Sequence, residues 1–157
     1  MIANILITLA SIIFMEAFAW AFHKYVMHSR WGWGWHESHH VHTDGPFEKN
    51  DLYGVCFSVI AAALFIAGSL WSPVLWYIAL GFTIYGVLYG FVHDGLVHQR
   101  WPFRVSAKRG YLLRLVHAHR LHHHTTTKDG AVSFGFLYAE KPEVLKARLK
   151  NNKPVAK

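Results

Sequence analysis

Residues 51–92 read DLYGVCFSVIAAALFIAGSLWSPVLWYIALGFTIYGVLYGFV, and from Leu52 to Val92 there is no Lys or Arg. A hydrocarbon core of about 30 Å is crossed by roughly 20 helical residues, so Leu52–Trp71 and Val74–Val92 are each long enough to span it. Only Ser72 and Pro73 separate them. Proline breaks the helix there and forces a tight hairpin, so the two spans run antiparallel. Upstream, Ile2–Phe22 is a third apolar run of the same length. The expected fold is therefore all-α: an integral membrane helical bundle with three transmembrane helices and room beyond residue 100 for a fourth, shallow pass. A chain of 157 residues fits one membrane-embedded domain, 1–157, with a charged tail over 140–157 that is helical from Pro142 to Leu149 and frayed at its end.

Basic residues orient this bundle. Lys24, Arg30 and Lys49 lie between the first and second spans, and Arg100, Arg104, Lys108 and Arg109 follow the third, which puts both stretches on the cytoplasmic side. The formal charge is +7, but 53 % of the residues are hydrophobic, and such long apolar runs argue against a soluble nucleic-acid binder. Ala17-Phe18-Ala19 has the form of a signal-peptidase site. Glu16 and the lack of a basic leader argue that the first span is retained, and no transit peptide is visible, which favours a bacterial cell membrane. Cys56 is alone and has no internal disulfide partner. Tyr53, Trp71, Trp76, Tyr77 and the WGWGW of 31–35 suit interfacial aromatic belts. Tyr111–Leu121 is a short amphipathic helix whose Leu112, Leu115 and Val116 suit a membrane surface.

Thirteen histidines stand out against this apolar background. His23 and His28 (HKYVMH) end the first span, and His36, His39 and His40 (HESHH) follow. His93 and His98 (HDGLVH) end the third span, and His119, His122 and His123 (HRLHH) follow. All four groups fall on one side of the membrane. In HxxHH the i, i+3 and i+4 positions share a helical face, so three imidazoles converge. In HxxxxH the two rings stand about 140° apart on a regular helix, so they serve different ions or need a break, for which Gly95 is a candidate.

The order HxxxxH then HxxHH occurs twice, and ten histidines in matching halves imply two metal ions with about five imidazoles each, too many for one zinc. Imidazole suits iron, zinc and copper alike, so ligand type does not choose the metal. Ligands must be neutral, so binding should weaken towards pH of about 6.5. A metal transporter or storage protein is the rival of a different class. It would place ionisable ligands near the midplane, where only Glu16 is found.

These boxes resemble those of the membrane histidine-box hydroxylases and desaturases, the fatty-acid and sterol hydroxylase superfamily. HDGLVHQRWPFR at 93–104, RGYLLRLVHAHRLHHH at 109–124, DGAVSFGFLYA at 129–139 and FEKNDLYG at 47–54 are similar to the beta-carotene hydroxylase family within it. The resemblance implies a di-iron, O2-dependent monooxygenase acting on C3 of the beta-ionone rings, from beta-carotene through beta-cryptoxanthin to zeaxanthin. A carotenoid ketolase, or another lipid hydroxylase or desaturase, is the rival within the superfamily. Carried over box by box, the ligands fall on His23, His28, His36, His39, His40, His93, His98, His119, His122 and His123. His42, His117 and His124 lie outside the boxes. Zinc could replace iron in a purified sample. Electrons would come from a ferredoxin-type partner, since the chain has neither a Rossmann fingerprint nor the cysteines for an iron–sulfur cluster.

Asp94 is a candidate to accept an imidazole N–H from its neighbour His93. Glu16 is expected to make a polar contact between helices or to a nearby histidine rather than bind metal. Gly86-x-x-x-Gly90 suits close helix packing, with a substrate groove along the third span as the alternative.

Overall fold

The computed structural model describes residues 1–41, 45 and 47–152, and among these every regular element is helical. Helix α1 runs Ile2–Phe22 and α2 Trp33–His40; α3 runs Asp51–Leu70 and α4 Pro73–Tyr89; α5 runs Gly110–His122 and α6 Pro142–Asn152. Three rods, Ile2–Met27, Asp51–Leu70 and Pro73–Val97, are long and apolar enough to cross a membrane. Leu9, Ile13, Val59, Ile66 and Val87 project from them with half or more of their surface exposed, as a lipid-facing surface requires.

The hairpin forms where proline dictated it. Ser72 is extended and Pro73 occupies the first turn of α4, where its missing N–H costs nothing. Gly68 lets α4 approach α3 until a Cβ there would collide with the Trp76 backbone. On the other side Gly81 packs against α1, where a Cβ would lie 2.5 Å from that of Ser11. Phe18 and Phe22 meet Phe57 and Tyr53 of α3 edge-on, closing the bundle. Gly86 and Gly90 do not pack: among the described residues, a Cβ at either would meet no neighbouring group within 4 Å. The close contact expected of Gly86-x-x-x-Gly90 is therefore absent, and that face of α4 is open.

Two of the rods widen before they end. His23–Met27 continues α1 as a π-helix, and Gly90–Val97 continues α4 in the same way. The i+5 hydrogen bonds His28 N–H to His23 O (3.1 Å) and His98 N–H to His93 O (3.0 Å) close these wider turns. Gln99, in the left-handed region at φ 54°, stops the second one, its side-chain amide donating to the carbonyls of Gly95 and Leu96.

Helix α5 turns part of its apolar face inward and leaves Leu112 exposed. Leu115 and Val116 pack with Val92 and Leu96 of the π turn and with Leu145 and Leu149 of α6 in a small core beside the spans. At 13 residues α5 is also too short to be a fourth span.

Candidate metal centre

The four boxes meet at one end of the bundle. Nitrogens of His23, His28, His36, His40 and His122 lie within 4.8 Å of one another, and so do those of His39, His98, His119 and His123. His93 joins the second group: its Nε2 is 2.8 Å from that of His39, and its ring centroid is 4.5 Å from His98 and 4.8 Å from His119. Each group thus contains five imidazoles, the number expected. Of the remaining histidines, His117 and His124 are exposed, and His42 lies outside the described residues.

Two expectations about the boxes change. The HxxxxH rings do not diverge, because in a π-helix the wider turn brings i+5 back over i, so His23 and His28 face one group and His93 and His98 the other. The break needed is a change of helical pitch, more than a glycine kink. Nor do the three rings of HxxHH converge. Positions i and i+4 serve one group while i+3 crosses to the other, so His39 leaves His36 and His40, and His122 leaves His119 and His123.

The outer nitrogens are pinned. His23, His28, His40 and His122 each place Nδ1 2.7–3.0 Å from a backbone carbonyl, those of Phe134, Lys128, Thr125 and Val132 respectively. Those of His36, His39 and His93 meet Asn50 Oδ1 (2.8 Å), Glu48 Oε2 (2.7 Å) and Asp94 Oδ1 (2.8 Å). A carbonyl oxygen only accepts, so the proton of these rings sits on Nδ1 and Nε2 presents a bare lone pair. In the first group five such nitrogens approach at 3.0–3.2 Å with no hydrogen to place between them. Lone pairs facing one another this closely repel, and a cation among them turns the repulsion into coordination. In the second group, the buried Nε2 of His98 has no hydrogen-bond partner among the described residues. The donor set fits two metal ions.

Burial is the main cause that favours the neutral form in eight of these rings. It holds His36 down to about 3 and His40 to about 4, and His98 and His123 to about 2. His28, His39, His119 and His122 move the same way. These eight imidazoles therefore take up protons less readily near pH 6.5 than a free imidazole does. Burial raises the carboxyl of Glu48, with the Arg100 cation pulling the other way. Arg100 grips Asp51 through both guanidinium nitrogens, at 2.8 and 2.6 Å, and comes within 3.6 Å of Asp94, tying the start of α3 to the second HxxxxH box.

Several supporting groups were not apparent from sequence. Trp33, expected as an interfacial anchor, has its ring 5.4 and 5.3 Å from His28 and His40 and walls the first group. Four carbonyls of the irregular segment 125–134 do the work of a conventional carboxylate shell, and carbonyls leave no mark in a sequence. Glu48 and Asn50 lie in FEKNDLYG, where their types alone gave a signal.

A family model described as fatty acid hydroxylase matches residues 8–139. The chain belongs to the fatty acid hydroxylase family. Within it, this hydroxylase-family chain is 54 % identical over 147 residues to a beta-carotene hydroxylase of a Paracoccus species, covering 94 % of the chain and 91 % of that protein. It is 53 % identical over 150 residues to a beta-carotene hydroxylase of Pseudescherichia vulneris, covering 96 % and 85 %. A chloroplastic beta-carotene 3-hydroxylase of Haematococcus lacustris is 41 % identical over 138 residues, 84 % of the chain and 42 % of that longer protein. The resemblance noted in the boxes is borne out. No solved structure matches the chain.

Proposed function

We propose that the chain is an O2-dependent di-iron monooxygenase that hydroxylates C3 of the beta-ionone rings of beta-carotene, giving beta-cryptoxanthin and then zeaxanthin. The observation that carries this is the paired cage of ten imidazoles at the membrane end of a chain similar to beta-carotene hydroxylases. His23, His28, His36, His40 and His122 would hold one iron, and His39, His93, His98, His119 and His123 the other. When bound, the iron pair supplies oxygen activation; zinc fits the same nitrogens but has no redox chemistry.

The protein's part is placement. Asn50, Glu48, Asp94 and the four carbonyls fix seven of the ten rings and their tautomers, with Asp94 accepting from His93. A hydrocarbon substrate offers no charge to grip, so it must be guided by shape. The open face of α4 provides that shape: Gly86, Tyr89 and Gly90 follow one another at i, i+3 and i+4 on one side of the helix, where the π turn that carries His93 begins. A polyene lying against the two glycines would reach Tyr89, whose ring stacks on His93 at 4.6 Å. Hydroxylation puts one oxygen atom of O2 into a C–H bond and releases the other as water, which consumes two electrons and two protons. A ferredoxin-type donor would bring the electrons to the histidine side. The Lys and Arg distribution supports a cytoplasmic position for that side, in a bacterial inner membrane.

Expression in cells that accumulate beta-carotene tests this reading. Zeaxanthin should form only with iron-replete protein and oxygen. A keto product would replace hydroxylase with ketolase, and absence of any oxygenated product would refute the proposal.

A further inference from the structure

Glu16 lies inside the first span, seven residues before His23 and about 10 Å deeper along the helix. Its carboxylate accepts four donors, three of them from one stretch of backbone. It accepts the Tyr85 hydroxyl from α4 at 2.9 Å and the successive backbone N–H groups of Phe136, Leu137 and Tyr138 at 3.1, 3.1 and 2.9 Å. Gly135 passes so close that a Cβ there would sit 2.8 Å from Oε1. Successive amides turned onto one anion form an anion-binding concavity, and irregular backbone at this depth needs such a partner because hydrocarbon provides none.

The clamp holds two things in place. The Phe134 carbonyl meets His23 Nδ1 at 2.9 Å. The Phe136 ring stacks on His23 with centroids 5.1 Å apart and planes 9° apart. The same ring lies 4.7 Å from Tyr89, 5.5 Å from His93 and 5.9 Å from His119. Phe136 therefore touches both histidine groups where the open face of α4 arrives at them.

We propose that Glu16 is a positioning residue: through the loop it clamps, it sets Phe136 as the wall against which the substrate ring rests, and so selects the ring carbon that meets the metal pair. This rests on the hydroxylase reading above. Neighbouring ring carbons are separated by one bond length, and a misplacement of about 1 Å can cost up to about a hundredfold in rate. A Gln at position 16 would keep one acceptor oxygen and turn an N–H towards donors, which shifts the loop without emptying the site.

The test uses the full chain, iron-loaded and in membranes, as wild type, Glu16→Gln, Phe136→Leu and the milder Tyr85→Phe. Metal content, amide exchange at 136–138, the position of the new hydroxyl and the ratio of singly to doubly hydroxylated product are measured. Glu16→Gln should keep both ions, exchange those amides about tenfold faster or more, lose about tenfold in kcat and spread the hydroxyl over adjacent carbons. Phe136→Leu should spread it likewise, and Tyr85→Phe should shift it less in the same direction. Metal loss in proportion to activity with an unchanged product pattern overturns the proposal, as does a pattern unaltered in all three variants. Wild type that makes no hydroxylated carotenoid overturns this proposal and the hydroxylase reading together, whereas active wild type with unaltered variants overturns this one alone.

Discussion

His39 Nε2 stands 2.8 Å from His93 Nε2, 54 residues away, while its neighbour His40 places Nε2 3.1 Å from that of His36. Adjacent residues on one short helix thus face different groups, and His122 and His123 repeat the arrangement in reverse. Each HxxHH box straddles both sites, so neither site is the property of one half of the chain.

Loss of a crossing ligand should therefore disturb both sites. His39→Ala and His122→Ala are each expected to lower metal affinity more than about a hundredfold, beyond what loss of a supporting residue costs, and to abolish product. His117→Ala and His124→Ala, on the exposed side of the same stretch, should stay within about twofold of wild type, as surface changes do. Metal analysis of the purified chain beside product yield checks this. Retention of one full-affinity ion in His39→Ala would count against the shared cage.

The carboxylates behind the rings should matter less than the rings but measurably. Glu48→Gln and Asp94→Asn are expected to weaken metal binding about 10- to 100-fold. Competition against a chelator series would read this, and unchanged affinity in both variants would remove these residues from the centre.

The pH dependence follows from burial. The folded imidazoles of His36, His40, His98 and His123 have values depressed to about 4 or below, while those of the unfolded chain stay near 6.5. Between these limits the unfolded state binds more protons, so stability rises with pH across the window and falls as pH drops through it. Metal and fold should accordingly be lost together between about pH 6 and 4. Metal content and circular dichroism, recorded on the same samples, decide the matter. Release of the ions near pH 6.5 from an intact helical fold would contradict it.

Filling the open face of α4 should block substrate and spare the metals. A Cβ at position 90 would meet no neighbour within 4 Å, so the fold should tolerate Gly90→Leu. Product formation is expected to fall by about tenfold or more with unchanged metal content. Undiminished activity would move the substrate path elsewhere.

Much of this architecture was legible in the sequence because it rests on coarse physics. Apolar length marks a span, proline marks the hairpin, and a doubled His pattern marks a pair of clustered sites. What escaped depends on helical pitch and on backbone groups. HxxxxH reads as divergent on an α-helix and as convergent on a π-helix, and nothing in HKYVMH announces the change. The contacts of His23, His28, His40 and His122 to main-chain carbonyls are likewise independent of which residues supply them. Glu16 was recognisable as an inward polar group, but its partners on the 136–138 segment are over a hundred residues away.

The π turns at His23–Met27 and Gly90–Val97 also act as phase shifters. On an unbroken α-helix, the residues that greet lipid and those that aim at the metals would be locked to one angular register, and any drift in one would rotate the other. A widened turn between them resets the angle. The spans can thus vary their lipid-facing stripe to suit the bilayer while the boxes keep their own bearing.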